Sequence, residues 1–379
     1  MSSSADRMLI PLNGNSRRKS ESEDEENKDR LSDLSDCILL HILSFVKAKH
    51  AVQTCVLSTR WKDLWKYLPT LILHSLDFSS LPSFTKFVSR LLTIRDGSTV
   101  LQGLDFEHLG WVQPNLLKRI VKYAVLHNIQ RLGLIVTTSD IEHIPNCIFS
   151  SQTLTSLKLL SYGYTKRTLF PKSLNLPALT TLHLVNFDFC VNDDGVVAEP
   201  FSVLNRLNSL IIENCNLSGA AYILCISSKT LTNLTVLHPC QYYKVYFFSP
   251  SLRTFAFTGT PFETLCGINI SSIEHVNFDI HWWCAEYSFI LLSWLVNLTN
   301  IKSLTVSTST LQVLFSIPYL WEFKSPILGS LKSLKIKLRE DKLQKVPGLL
   351  KDPFSSVPDW VVDYLLQNSP SAKVDIIRY

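Results

Sequence analysis

Hydrophobic and polar positions along this chain return to one phrase: an apolar residue, two variable residues, an apolar residue, one variable residue, an apolar residue. It occurs at Leu101/Leu104/Phe106, Ile129/Leu132/Leu134, Leu154/Leu157/Leu159, Leu179/Leu182/Leu184, Leu207/Leu210/Ile212, Leu231/Leu234/Val236, Leu252/Phe255/Phe257, Ile273/Val276/Phe278, Ile301/Leu304/Val306 and Leu331/Leu334/Ile336. Successive copies start 28, 25, 25, 28, 24, 21, 21, 28 and 30 residues apart. The last three positions alternate in, out, in, as a short strand does when one of its faces is buried. A single copy has nothing to bury that face against, so the copies must stack. Ten strands at about 4.8 Å each predict a parallel sheet roughly 43 Å long.

The period is that of a leucine-rich repeat. The copy at Leu207 runs on as LNSLIIENCNL through Cys215 to Leu217, the longer form in which Cys or Asn bonds the turn after the strand. The predicted fold class is α/β: an N-terminal three-helix module, then a leucine-rich-repeat solenoid. The solenoid is a curved parallel sheet with irregular or helical outer segments. Outward positions on the strands are Ser156 and Lys158, Thr181 and His183, Ser209 and Ile211, Asn233 and Thr235, Thr254 and Ala256, His275 and Asn277, Ser303 and Thr305, Ser333 and Lys335. This face is small, hydroxyl-rich and weakly charged, so a bound partner relies on hydrogen bonds and aromatic anchors more than on charge steering. Lys158, His183, Ile211, Thr235, His275, Asn277 and Lys335 are the candidate target contacts. His281, Trp282 and Trp283 form an aromatic step that is either a further candidate anchor or, for at least one Trp, buried under the solenoid.

Ahead of the repeats the spacing becomes helical. Ile38, Ile42 and Phe45 form one stripe and Leu39, Leu43 and Val46 its neighbour, so the first helix is apolar over more than half its circumference. Ser35 or Asp33 is placed to cap it. Ala51, Val52, Cys55 and Val56 predict a second helix. Trp61, Leu64, Trp65 and Leu68 predict a third, with Ser58 as N-cap and Pro69 as its stop. A unit of about 40 residues has more apolar surface than it can cover alone. Burying about six such side chains against a partner yields roughly 9–18 kcal/mol before ordering costs. Covering the end of the solenoid is the plainer use of the same surface.

At the other end, Trp360, Val361, Tyr364 and Leu365 have helical spacing, Pro370 stops that helix, and Val374, Ile376 and Ile377 supply a last strand expected to cover the sheet's open edge. Residues 1–28 are rich in Ser, Asn and charge and are expected to be a disordered leader. Arg17, Arg18 and Lys19 resemble a weak nuclear address beside Ser20 and Ser22. The expected organisation is a leader at 1–28, the helical module at 29–73, repeats at 74–340 and a C-terminal capping region at 341–379.

Composition narrows the function classes. With 46% hydrophobic residues in 379, a large core is possible, and the longest apolar-rich stretch, Phe289 to Leu298, is too short to span a bilayer. No membrane association and no secretory signal are expected, which places the protein in the cytoplasm and/or nucleus. The sequons at Asn216, Asn233, Asn269 and Asn297 then read as polar strand and turn positions. Nine cysteines lack any Cys-x-x-Cys pair and read as reduced, mostly buried residues. A net charge of +5 is modest. The basic group Lys332, Lys335, Lys337, Arg339, Lys342 and Lys345 has no interleaved aromatics and contains Glu340 and Asp341, so no nucleic-acid partner is expected. Histidines show no metal-ligand spacing, and 12 glycines form no phosphate-cradling loop. No metal, no cofactor and no catalytic residues are expected.

The segment DRLSDLSDCILLHILSFVKAKHAVQTCVLSTRWKDLWKYLPTLIL, from residue 29 to 73, resembles an F-box of the kind that heads plant F-box/leucine-rich-repeat proteins. Its marks are the acidic-Arg-Leu opening, Ile-Leu-Ser-Phe, Ala-Val-x-Thr-x-Val-Leu-Ser-x-Arg-Trp, then Leu-Trp and Leu-Pro. The tail VPDWVVDYLLQNSPSAKVDII is similar to the FBD region that closes many of them. The resemblance implies a non-catalytic substrate receptor of a Skp–cullin–F-box ubiquitin ligase. The F-box would dock a Skp-type adaptor, and through it cullin and RING subunits, while the repeats hold an unknown target protein. Carried over by position, the adaptor-facing set is Leu31, Leu34, Ser35, Ile38, Leu39, Ile42, Leu43, Val52, Val56, Leu57 and Trp61. Ser35 departs from the family's usual Leu-Pro-Asp opening. The alternatives are a ligase-independent scaffold, a receptor that senses a small molecule, and an extracellular repeat receptor, which the missing signal peptide disfavours.

Overall fold

The structure is a computed structural model that describes residues 31–378 apart from 32, 109, 111–112, 138–143, 163–166, 192–194, 220–221, 240–243, 262–264, 268–269, 281–284, 318, 323–327 and 339–358. The leader at 1–28, the step at His281 to Trp283, the sequon at Asn269 and the basic residues Arg339, Lys342 and Lys345 lie outside the described residues.

Every copy of the repeated phrase forms a strand of one parallel sheet. Its twelve strands follow chain order: β1 Thr70–His74, β2 Gly103–Glu107, β3 Arg131–Thr137, β4 Ser156–Tyr162, β5 Thr181–Val185, β6 Ser209–Glu213, β7 Asn233–Leu237, β8 Thr254–Gly259, β9 His275–Ile280, β10 Ser303–Ser307, β11 Ser333–Leu338 and β12 Lys373–Arg378. The strands pair in perfect phrase register. Leu71, Leu104, Leu132, Leu157, Leu182, Leu210, Leu234, Phe255, Val276, Leu304 and Leu334 form one ladder through the sheet, and all are buried. Each contributes about 1.5–3 kcal/mol by leaving water, which makes stacking favourable although a lone repeat is not.

β1 is a copy that the sequence reading placed inside the helical module. Leu68, Leu71 and Leu73 satisfy the phrase and are buried, so the first strand of the solenoid begins before residue 73. The tail also differs from expectation. β12 pairs with β11, yet Val374, Ile376 and Ile377 remain exposed, so among the described residues the tail lengthens the sheet by a strand and presents a new edge.

What backs the sheet differs between repeats, and length alone does not set it: the 28-residue repeat at Leu179 carries the strands Phe187–Phe189 and Val197–Ala198 and, among its described residues, no helix. The 28- and 30-residue repeats that start at Leu101, Ile273 and Ile301 have room for helices Pro114–Leu126, Ala285–Asn297 and Thr308–Phe315. Repeats of 21 and 24 residues carry only short strands there, such as Ile223–Ser227 and Lys244–Phe248, which form a second small parallel sheet. These outer strands, rather than irregular segments, are a difference from the sequence reading. The turn after the strand follows the expected chemistry. Asn186 and Asn214 adopt φ of 64° and 50°, the left-handed region that Asn tolerates, and Asn214 donates its side-chain amide to the Asn186 side-chain oxygen. Cys215 donates its thiol to the Glu213 carbonyl at 3.3 Å. The sequon asparagine Asn216 is buried in the strand Asn216–Leu217, while Asn233 starts β7.

The N-terminal module is fused to this core. Leu39, Leu43, Ala48, Ala51, Trp61, Leu64 and Leu68 belong to the same hydrophobic cluster as the repeats. Lys47 forms an ion pair with Asp77 at 2.7 Å, Lys49 lies over the Phe78 ring at 4.9 Å, and the Arg95 guanidinium donates to the Leu68 carbonyl at 2.8 Å. The module therefore covers the first end of the solenoid. Only two of its three expected helices are α-helical, α1 Asp36–Leu43 and α2 Ala48–Gln53; the third is a single 3-10 turn, Leu64–Tyr67. Pro69 drives Leu68 to extended geometry, φ −57° and ψ 125°, which leaves no length for an α-helix. Among the described residues no helix is long and apolar enough to cross a membrane.

Candidate functional site

Two surfaces offer recognition chemistry. The first lies on the helical module. Arg60, from the Ser-x-Arg-Trp motif, donates from Nε to the Asp36 carboxylate at 2.8 Å and from Nη2 to the Leu34 carbonyl, which ties the start of α1 to the end of the module. So held, α1 divides its two apolar stripes. Leu39 and Leu43 point inward and are 0% and 3% exposed, whereas Ile38 is 46% exposed and Phe45 71%. Ile42, Leu31 and Leu57 are exposed, Val56 is 83% exposed, and Leu34 and Val52 are half-buried.

This sorts the eleven residues implied by the resemblance. Leu31, Leu34, Ser35, Ile38, Ile42, Val52, Val56 and Leu57 are reachable from solvent. Leu39, Leu43 and Trp61 are not, because the chain's own core already buries them. The resemblance assigns both stripes to the adaptor, whereas the plainer use of the same surface, packing within the chain, claims the inner one. Phe45 was left out of the set although it follows Ile38 and Ile42 on the exposed stripe.

Ser35 occupies the N-cap of α1 with φ −66° and ψ 154°, and its hydroxyl makes no capping bond, contrary to the expectation that serine caps here. That φ is the one proline is locked into. Ser35→Pro is therefore expected to stabilise the chain by about 0.4–1 kcal/mol, by restricting the unfolded state without loss of a cap. Chemical denaturation of the two proteins checks this; a drop in the midpoint contradicts it.

The second surface is the concave face of the sheet. Register aligns Lys158, His183, Ile211, Thr235, Ala256, Asn277, Thr305 and Lys335 in one row across β4 to β11. Six of the seven candidate target contacts share that row, and His275 stands in the row beside it, opposite Thr254 and Ser303. Two buried atoms in the row have no hydrogen-bond partner, His183 Nε2 and Asn277 Oδ1. Toward β1 the face opens into a cleft of about 580 Å³, walled by the end of α1 at His41, Ser44 and Phe45.

Burial, and then the charge of Lys158, push the His183 pKa below its ordinary value; burial, and then Arg95, act the same way on His127. As pH falls through about 6.5 the unfolded chain takes up these protons first, so stability is full above that pH and declines below it. Thermal melts at pH 7.5 and 5.5 are expected to show this decline, and His183→Gln with His127→Gln should flatten it. A decline of the same size in the double variant contradicts the assignment.

Residues 31–73 match the F-box domain family. An F-box protein of Arabidopsis thaliana is 24% identical over 373 residues, which is 91% of this chain and 90% of the relative. A putative F-box/FBD/LRR-repeat protein of the same plant is 30% identical over 301 residues, 76% of this chain and 66% of the relative. An F-box/LRR-repeat protein from it is 27% identical over 346 residues, 86% and 71% of the two chains. Residues 31–73 are thus an F-box domain, and with the twelve-stranded repeat sheet behind it the chain is similar along most of its length to F-box and F-box/LRR-repeat proteins of Arabidopsis thaliana.

Proposed function

We propose that the protein is the substrate-receptor subunit of a Skp–cullin–F-box ubiquitin ligase. F-box domains generally bind Skp-type adaptors. The observation that carries the reading is the division of the module's apolar side chains: Leu39 and Leu43 are consumed by the chain's own core, while Ile38, Ile42, Val56 and Leu57 stay in water. An uncovered cluster of this kind is costly unless a partner takes it. The adaptor covers it, and cullin and RING subunits follow through the adaptor. The concave row centred on Lys158, His183 and Ile211 holds the target protein.

Rate enhancement comes from proximity: the receptor raises the effective concentration of target lysines around a thioester carried by another subunit. No residue of this chain acts chemically. The setting is cytoplasmic and/or nuclear. The full chain, mixed with purified Skp-type adaptor, cullin and RING subunits, is expected to co-elute with them as one complex. If the full chain fails to capture the adaptor, the ligase reading falls and a ligase-independent scaffold replaces it.

A further inference from the structure

The cleft at the head of the sheet has a construction that the rest of the concave face lacks. Its floor is a checkerboard on two strands: Gly103 and Asp105 on β2 stand opposite Arg131 and Gly133 on β3. Each charged side chain lies over the glycine of the neighbouring strand. A Cβ on Gly133 would meet the Asp105 carboxylate, and one on Gly103 would lie 3.3 Å from Arg131 Nη2. The glycines thus lower the floor where every other strand raises a side chain, and two opposite charges border the depression. Lys158 on β4 stands opposite Gly133 and lines the same cleft.

Among the described residues neither Arg131, Lys158 nor Asp105 has an ion-pair partner, although all three line one concavity. Arg131 and Lys158 are diagonal neighbours on adjacent strands, about 8 Å apart at Cα from the spacings of a sheet, close enough to grip one carboxylate between them. Asp105 on the far side accepts from an N–H. On the side away from Lys158 the cleft has apolar lining: Phe45, which is exposed, and Ile72, which stands opposite Asp105 on the neighbouring strand. An extended peptide supplies all of these together, with a carboxylate side chain, an amide N–H and an apolar side chain on one edge.

We propose that this cleft is the primary anchor for the target, and that it takes an extended acidic peptide segment: an Asp or Glu held by Arg131 and Lys158, with an aliphatic or aromatic side chain within two positions packed on Phe45 and Ile72. The proposal rests on the target-receptor reading and narrows its site from the whole concave row to the F-box end. It also explains why Phe45 lies beside the sheet: the F-box supplies one wall of the cleft.

The test pans a displayed library of random dodecapeptides against the immobilised full chain. Enriched peptides are then synthesised and their affinities measured on the parent and three variants. The expected result is enrichment of an acidic residue close to Leu, Met or Phe. Arg131→Glu and Lys158→Glu should each weaken binding at least tenfold. Gly133→Val, which fills the floor on a strand where β-branched residues are favoured, should do the same with an unchanged melting temperature. Affinity should also fall between 50 and 200 mM salt. Enrichment of basic or purely apolar peptides overturns the proposal, as does enrichment no greater than on the Arg131→Glu/Lys158→Glu double variant. Adaptor capture is measured on the same preparations. Capture retained with no acidic peptide enriched removes the cleft and leaves the ligase reading; acidic peptides bound without adaptor capture does the reverse.

Discussion

Ile38→Asp combined with Val56→Asp is expected to abolish recovery of a Skp-type adaptor while leaving the melting temperature within a few degrees of the parent. Both side chains already stand in water, at 46% and 83% exposure, so a carboxylate costs the free protein little. In the complex the same carboxylates enter an apolar interface without partners, and each unpaired charge removes several kcal/mol of binding, about a thousandfold or more in affinity for the pair. Leu39→Asp, one residue along α1, is expected to behave differently. Leu39 is fully buried in the cluster shared with the repeats, so the charge disrupts the module itself and both melting temperature and adaptor recovery fall. Titration of each purified variant with adaptor, beside its thermal melt, separates the two. If Leu39→Asp lost adaptor binding with an undisturbed melt, the inward stripe would belong to the interface and the division of α1 would be wrong.

The second large effect lies far from either surface. Trp294 is fully buried on the helix Ala285–Asn297, with ring centroids 5.0 Å from Phe257, 5.6 Å from Phe278 and 6.2 Å from Phe255. One side chain thus ties β8, β9 and the helix behind them. Trp294→Ala is expected to cost about 3–5 kcal/mol, since the surrounding rings cannot collapse into a void of that size. In a stacked array each repeat contacts only its neighbours, so this loss weakens one junction rather than the whole. Denaturant unfolding of the variant should split into two transitions, the C-terminal repeats first. Adaptor capture should persist through the first transition, because the F-box end is coupled to β1 and β2 instead. A single cooperative transition at a lower midpoint would show the solenoid to be one folding unit.

The architecture was legible in the sequence because its information is local and repeated. Each phrase carries its own strand, its buried face and, through its spacing, its neighbour; register then follows, since a slip of one residue would put Leu104 or Leu157 into water. The same holds for the concave row, where Lys158, His183, Ile211 and Asn277 could be placed by counting from the buried leucines. The first strand escaped because Leu68, Leu71 and Leu73 also fit the end of the helical module, and nothing local distinguishes the two uses.

What the sequence by itself determined is the list of faces: ten repeat strands with one apolar side, a first helix with two apolar stripes, and a row of small polar residues on the outward side of the strands. What only the tertiary structure decided is which faces meet. The assignment of Leu39, Leu43 and Trp61 to the interior and of Ile38, Phe45 and Val56 to the outside depends on how α1 packs on the Leu64–Tyr67 turn and α2 on β1, and hydrophobicity is the same on both stripes. The cleft needed more still. Gly103, Asp105, Arg131, Gly133, Lys158 and Phe45 are drawn from four separate segments, and their use depends on pairings between strands about 25 to 30 residues apart. Burial is a property of single residues that a pattern can encode, whereas a concavity is a relation among segments that exists only once they are packed.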